Sequence, residues 1–171
     1  LTFLAKEMMA TANWSFFMYP GLSSGAMNTI SAWGTDAQKE TYLTKLISAE
    51  WSGTMCLTEP QCGTDLGQCK SKAEPQEDGT YKITGTKIFI SAGEHDLTDN
   101  IIHIVLAKLP NCPEGTKGLS LFIVPRNVIQ ADGSLAKEKN VKCIALEKKM
   151  GIKGSATAQL AFDGSIGYMI G

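Results

Sequence analysis

Long apolar runs, paired cysteines, histidines and net charge are all scarce in this sequence, and each scarcity excludes something. No segment is apolar for long enough to span a bilayer. The longest candidate, residues 101–109, is interrupted by His103 and Lys108 and fits a buried strand, so stable membrane insertion is not expected. The opening Leu1-Thr2-Phe3-Leu4-Ala5-Lys6-Glu7 lacks the basic start of a signal peptide and meets an acid early. With no initiator Met and an abrupt stop at Tyr168-Met169-Ile170-Gly171, the chain reads as a fragment of something longer. The five cysteines, Cys56, Cys62, Cys69, Cys112 and Cys143, form no C-x-x-C pair, and two histidines beside them do not favour structural zinc. They read as free thiols in a reducing compartment, which makes the expected location cytoplasmic. A formal net charge of −1 gives no global pull toward nucleic acid or an anionic membrane.

Signature motifs are missing too. No G-x-G-x-x-G follows a strand, and there is no Walker loop and no G-x-S-x-G elbow. Helical patterning comes first and strand patterning afterwards, without β-α-β alternation, which excludes a Rossmann-type nucleotide domain as the main architecture.

What is present is an ordinary globular composition, 43% hydrophobic and 19% charged, in a chain long enough for one well-packed domain or one small domain and part of another. Residues 4–19 read as a largely buried helix stopped by Pro20-Gly21, and 22–33 as a second helix ended by Gly34. Thr35 and Gln38 are spaced for a capping box, with Asp36 favourable in the first turn. Tyr42, Leu43, Leu46 and Ile47 then share one face. From Trp51 the period changes. Strands are expected over 54–58, over 69–74 as an exposed strand, over 81–84 and, past a bend or bulge allowed at Gly85, over 86–91 as another, and over 101–108, 119–125, 141–146 and 156–163. Asp78-Gly79 supplies a hairpin turn, 92–100 is a polar loop, and 127–140 reads as irregular. The predicted fold is α+β: an N-terminal helical segment followed by a small antiparallel β-barrel or sandwich.

The stretch Met55-Cys56-Leu57-Thr58-Glu59-Pro60-Gln61-Cys62-Gly63-Thr64-Asp65 separates the two halves. A proline and a glycine this close preclude one long regular element, so it reads as a strand end entering a loop. On residue types it serves either as an interdomain connection or as a holder for a polar planar group or a phosphate. Glu59 by itself says nothing about base catalysis. His103 reads as a core residue and His95 as a solvated loop residue. Glu94-His95-Asp96 cannot all converge on a metal from one strand. Lys148, Lys149 and Lys153 read as a solvated face or a modest basic cluster.

Taken in order, several segments resemble the acyl-CoA dehydrogenase flavoprotein family. Cys56-Leu57-Thr58-Glu59-Pro60-Gln61-Cys62-Gly63-Thr64-Asp65 resembles its C-x-T-E-P-x-x-G-S-D signature, with Thr64 for the usual Ser. Gly34-Thr35-Asp36-Ala37-Gln38-Lys39 resembles the start of the last long helix of its N-terminal domain. Gly85-Thr86-Lys87-Ile88-Phe89-Ile90-Ser91 resembles G-x-K-x-W-I-T, with Phe89 for Trp and Ser91 for Thr. Met150-Gly151-Ile152-Lys153-Gly154-Ser155 followed by Phe162-Asp163 resembles the M-G-x-x-x-S to F-x-D pair. The segment from Gly151 to Gly171 resembles the larger bacterial branch that includes the methylthiopropanoyl-CoA dehydrogenases.

The resemblance implies residues 1–53 as the end of an all-α domain and 54–171 as the middle β-barrel domain, with the family's C-terminal helical domain outside this chain. It implies FAD as cofactor, contacted by Cys56, Leu57, Thr58, Phe89, Ile90 and Ser91, and the CoA part of an acyl-CoA substrate against Thr64 and Ser155. The family reaction is α,β-dehydrogenation to the enoyl-CoA. Its base is a Glu of the missing domain, so no catalytic residue is assigned here and the fragment is expected to be inactive alone. Electrons would pass to an acceptor such as an electron-transfer flavoprotein, and the full-length protein is expected to be a homo-oligomer. An acyl-CoA oxidase or flavin monooxygenase on the same scaffold, and a non-catalytic β-barrel binding module, are the alternatives.

Overall fold

Thr35 and Gln38 form the expected capping box: the Thr35 hydroxyl accepts the Gln38 N–H at 3.2 Å and the Gln38 side chain accepts the Thr35 N–H at 3.0 Å. This starts the last of three helices in the computed structural model, which describes residues 2–171. They are α1 (Thr2–Ala12), α2 (Trp14–Trp33) and α3 (Asp36–Ile47). Tyr42 and Leu46 of α3 are buried, but Ile47, expected on the same face, points into solvent.

The first helical run breaks at Asn13, not at Pro20. Asn13 takes extended backbone and its side chain accepts the Phe16 N–H at 3.0 Å, a cap that ends one helix and starts the next. Pro20 lies inside α2, where it lacks the N–H of a normal turn. The helix continues because its later turns, through Ser23, Ala26 and Ile30, are buried against the sheet. The Ser24 hydroxyl also bonds the Pro20 carbonyl at 2.9 Å.

Nine strands follow: β1 (Trp51–Cys56), β2 (Lys72–Pro75), β3 (Tyr81–Ser91), β4 (Asn100–Lys108), β5 (Leu119–Pro125), β6 (Asn127–Ile129), β7 (Leu135–Lys139), β8 (Lys142–Leu146) and β9 (Thr157–Met169). Five close a ring through the pairings β4–β2, β2–β3, β3–β9, β9–β5 and β5–β4. Strand β8 adds to β9, and β1 lies along β4. The barrel is mostly antiparallel as expected, but β1 runs parallel to β4, and β2 meets β4 in parallel through Lys72 and Lys108. Parallel pairing follows because the chain leaves β1 by a long loop and hairpin before returning to β4.

Two cores result from the alternation of β1 and β4. Cys56, Val105 and Ala107 face the barrel interior with Ile83, Ile90, Phe122, Leu160 and Phe162. Trp51, Ile102 and Ile104 face the helices and pack with Ala26, Ile30, Tyr42 and Leu46. No helix among the described residues is long and apolar enough to cross a membrane.

Three strand expectations change. Residues 69–74 are not an exposed strand: Cys69, Ser71 and Ala73 point inward and are buried. Ser71 packs directly on Gly85 (φ +155°), where a Cβ would lie 2.3 Å from Ser71 Oγ. Residues 127–140 are not irregular, because β6 and β7 pair as a small hairpin. The last strand runs on to Met169, past Gly164 at φ +70°. The hairpin turn at Asp78-Gly79 forms as expected, with Gly79 at φ +80°.

Candidate functional site

Glu59 follows β1 and opens a tight turn in which its N–H and carbonyl both bond Cys62 (2.8 and 3.0 Å). The turn swings its carboxylate into the barrel mouth, where it is 3% exposed. It accepts from Lys87 Nζ (2.8 Å), the Ser71 hydroxyl (2.6 Å), the Ser71 N–H (3.0 Å), the Lys70 N–H (2.7 Å) and the Cys69 thiol (3.0 Å). Burial works against its charge, but the donors Cys69, Lys87, Ser71 and Lys70 outweigh it and hold the carboxyl well below the usual range. An acceptor so saturated is a structural anion and a poor proton abstractor. The same site pushes the Cys69 thiol up to about 11, first by burial and then by its bond to Glu59.

Lys87, fully buried in β3, also donates to the Leu57 carbonyl at 3.1 Å, and the next residue, Ile88, donates its N–H to the Thr58 carbonyl at 2.9 Å. The segment 57–59 is therefore bolted to 87–88, which sets Cys56-Leu57-Thr58 beside Phe89-Ile90-Ser91. From the sequence alone Lys87 has no assigned role. Its signal was a lysine within a strand whose neighbouring inward positions, Ile83 and Ile90, are apolar.

At Phe89 the β3–β9 register slips between Lys87 and Ile90, and Phe89 takes the left-handed conformation with φ +56°. The bulge turns its ring outward, 57% exposed. Such backbone costs about 1–2 kcal/mol for a residue with a Cβ, so the ring is held out against a local preference. Ile90 returns to the barrel core and Ser91 pairs with Thr157 of β9. Cys56 also faces the core, where burial pushes its thiol up to about 12. Cys56 and Ile90 can thus reach a ligand only through backbone. Thr58 and Ser91 are half-buried, and neither hydroxyl is spent on a hydrogen bond among the described residues.

Thr64 is exposed on the loop after the Glu59 turn, beside Asp65, which caps a short 3-10 turn by accepting the Gly67 N–H at 3.1 Å. Ser155 lies elsewhere, on the loop before β9. It is 2% exposed, its hydroxyl has no partner, and its carbonyl accepts from Lys149 Nζ. The structure brings the 56–58 and 89–91 segments together; no hydrogen bond joins Thr64 to Ser155. Lys148, Lys149 and Lys153 line a cleft of about 360 Å³ with Glu147.

The two histidines differ from each other. His103 is a core residue as expected, with Nδ1 2.8 Å from the Thr54 hydroxyl but Nε2 unpartnered; burial, then the charges of Arg126 and His95, push it down to about 3. His95 is not simply solvated: Nε2 lies 3.0 Å from the Ser52 hydroxyl, Nδ1 accepts the Leu97 N–H at 3.2 Å, and the ring meets the Tyr19 ring edge-on at 5.0 Å. Glu94 is taken up by Arg126 (3.1 Å) and Lys139 (2.8 Å).

The middle-domain model of the acyl-CoA dehydrogenases matches residues 54–165, and their N-terminal-domain model matches residues 2–50. The chain is 49% identical over 167 residues to the 3-methylmercaptopropionyl-CoA dehydrogenase of Ruegeria pomeroyi, a match that covers 98% of this chain and 28% of that protein. Among solved structures, the butyryl-CoA dehydrogenase of Megasphaera elsdenii superposes with a TM-score of 0.78 at 31% identity, covering 98% of this chain and 41% of that one. An acyl-CoA dehydrogenase from Bacillus anthracis, complexed with FAD, superposes with a TM-score of 0.62 at 29% identity, covering 81% of this chain and 21% of that one. With its barrel, its helices and its two bolted segments accounted for in this way, the chain belongs to the acyl-CoA dehydrogenase family.

Proposed function

We propose that the protein carries out the flavin-dependent α,β-dehydrogenation of an acyl-CoA thioester, with this chain forming one wall of the site. Residues 1–53 are then the end of a helical domain and 54–171 a middle barrel domain. The base that removes the α proton lies on a helical domain outside this chain. The observation that carries the reading is the outward Phe89 ring, held in a left-handed bulge beside the Thr58 segment that Lys87 and Glu59 anchor.

This wall suits FAD: an exposed aromatic face lies beside hydroxyls with no other partner. When bound, FAD supplies the acceptor for the hydride leaving the β carbon. Phe89 offers its ring face for stacking. The Thr58 and Ser91 hydroxyls, with backbone groups of Cys56, Leu57 and Ile90, meet the polar edge of the ring system and exclude water from it. Thr64 and Ser155 face the CoA portion. Glu59 touches neither ligand and keeps the two cofactor segments in register.

Electrons then pass to an acceptor such as an electron-transfer flavoprotein, and the protein acts in the cytoplasm as a homo-oligomer. Purifying the full-length protein and recording its visible spectrum tests the reading. Flavin absorption that bleaches anaerobically on addition of an acyl-CoA, with enoyl-CoA formed, is the expected result. Absence of flavin would overturn the reading in favour of a non-catalytic barrel. Rapid reoxidation of the reduced protein by dioxygen would replace it with an oxidase or monooxygenase.

A further inference from the structure

We propose that Tyr19 is a positioning residue for the ligand wall, the hydroxyl through which helix α2 sets the loop carrying Ser155. This rests on the reading of Ser155 and the Phe89–Ser91 segment as parts of that wall.

Tyr19 Oη accepts the Ala156 N–H at 3.1 Å and donates to the Gly154 carbonyl at 3.5 Å. It therefore holds the chain on both sides of Ser155. From the other direction, the Ala156 carbonyl accepts the Gly93 N–H at 3.3 Å. Gly93 follows the Phe89–Ser91 segment, and only glycine fits there: a Cβ would stand 2.8 Å from Ala158 Cβ and 2.9 Å from the Ile90 carbonyl oxygen. Ala156 is thus a node at which α2, the loop after β3 and the loop before β9 meet.

The Tyr19 ring adds a second contact. Its edge packs on His95, in the loop after β3, and His95 reaches the Ser52 hydroxyl of β1. One side chain from the helices thus touches both loops that border the wall. Gly154 completes the seat by lying against α2, where a Cβ would sit 3.4 Å from Ser15 Cβ. Within the clamped loop, the Ser155 hydroxyl is buried and has no protein partner. The clamped loop thus holds a polar group that is withdrawn from solvent and left unpaired by the protein itself. A loop of polar backbone with few apolar anchors opens readily when a hydrogen bond is lost.

Tyr19→Phe in the full-length holoprotein keeps the ring on His95 and deletes the hydroxyl. One lost hydrogen bond of ordinary strength corresponds to about fivefold in an opening equilibrium. Amide exchange over residues 151–156 is expected to quicken by about that factor while exchange in β4 and β5 is unchanged. KM for the acyl-CoA is expected to rise several-fold with kcat little changed, and Tyr81→Phe, a hydroxyl deletion elsewhere on the barrel, to alter neither. Unchanged loop exchange in Tyr19→Phe would overturn the clamp. So would a uniform quickening across the whole barrel, which would show a merely structural hydroxyl. Quickened loop exchange with an unchanged KM would uphold the clamp and overturn Ser155 as part of the substrate wall.

Discussion

Lys87 Nζ lies 2.8 Å from Glu59 Oε1, with both side chains withdrawn from water. A buried ion pair gains little net stability over its desolvation, so the contribution of this one is geometric: it holds the strand end at Leu57-Thr58 against Lys87-Ile88. Lys87→Met strands a buried carboxylate and is expected to destabilise the protein by about 3–5 kcal/mol. Denaturant unfolding measures this. A loss under about 1 kcal/mol would show that the remaining hydrogen bonds to Glu59 suffice without the counter-charge.

Acid should lower the stability of the protein over two pH ranges. His103, with a usual value of 6.5, is pushed down to about 3 by burial and then by Arg126 and His95. Its folded value lies below the unfolded one, so its contribution is complete above pH 6.5 and is lost as pH falls toward 3. Glu59 has the same sign from its usual 4.5: its contribution is complete above that pH and is lost as pH falls below it. Stability measured against pH should decline from 6.5 and steepen below 4.5. His103→Leu is expected to flatten the upper part and Glu59→Gln the lower, whatever each does to absolute stability.

Phe89 is expected to separate stability from binding. Deleting a large aromatic usually costs stability, but this ring is exposed and its backbone is strained. Phe89→Asn, which tolerates a left-handed conformation, should leave stability within about 0.5 kcal/mol or raise it. Flavin affinity should fall by about tenfold with the loss of a stacking face, read from cofactor retention during dilution. A substantial loss of stability with flavin affinity intact would contradict both halves.

Gly85→Ala should cost about 1–3 kcal/mol, since the new Cβ meets Ser71 Oγ and the backbone is in a region that suits glycine. Ser71→Gly in the same protein removes the Oγ and Cβ contacts but leaves the Cα at 3.0 Å and deletes a donor to Glu59, so it should restore only part of the loss. Complete rescue would show that the backbone conformation carries no strain.

Local order was legible wherever neighbouring residues decide it. The Thr35–Gln38 box, the Asp78-Gly79 turn and the buried strand through His103 form where the sequence places them, because caps, turns and alternation act over a few residues. Pro20 misled because its local penalty is outweighed by burial of the helical turns beyond it, while Asn13 offered a better cap. The 69–74 segment looked polar and exposed, yet small polar residues are what fit beneath Gly85 and around Glu59.

Helices before strands, the Thr35 cap, the Asp78-Gly79 turn and the segments whose ordered likeness reveals the family can all be read along the chain. That Glu59 is a buried structural anion, that Lys87 is its partner, that Phe89 faces outward and that Tyr19 holds the Ser155 loop cannot. Sequence separation makes the difference. Each of these depends on a contact or a register slip between strands or loops far apart in sequence. The energy of a buried charge or a strained φ is set by that packing and not by the residue's neighbours.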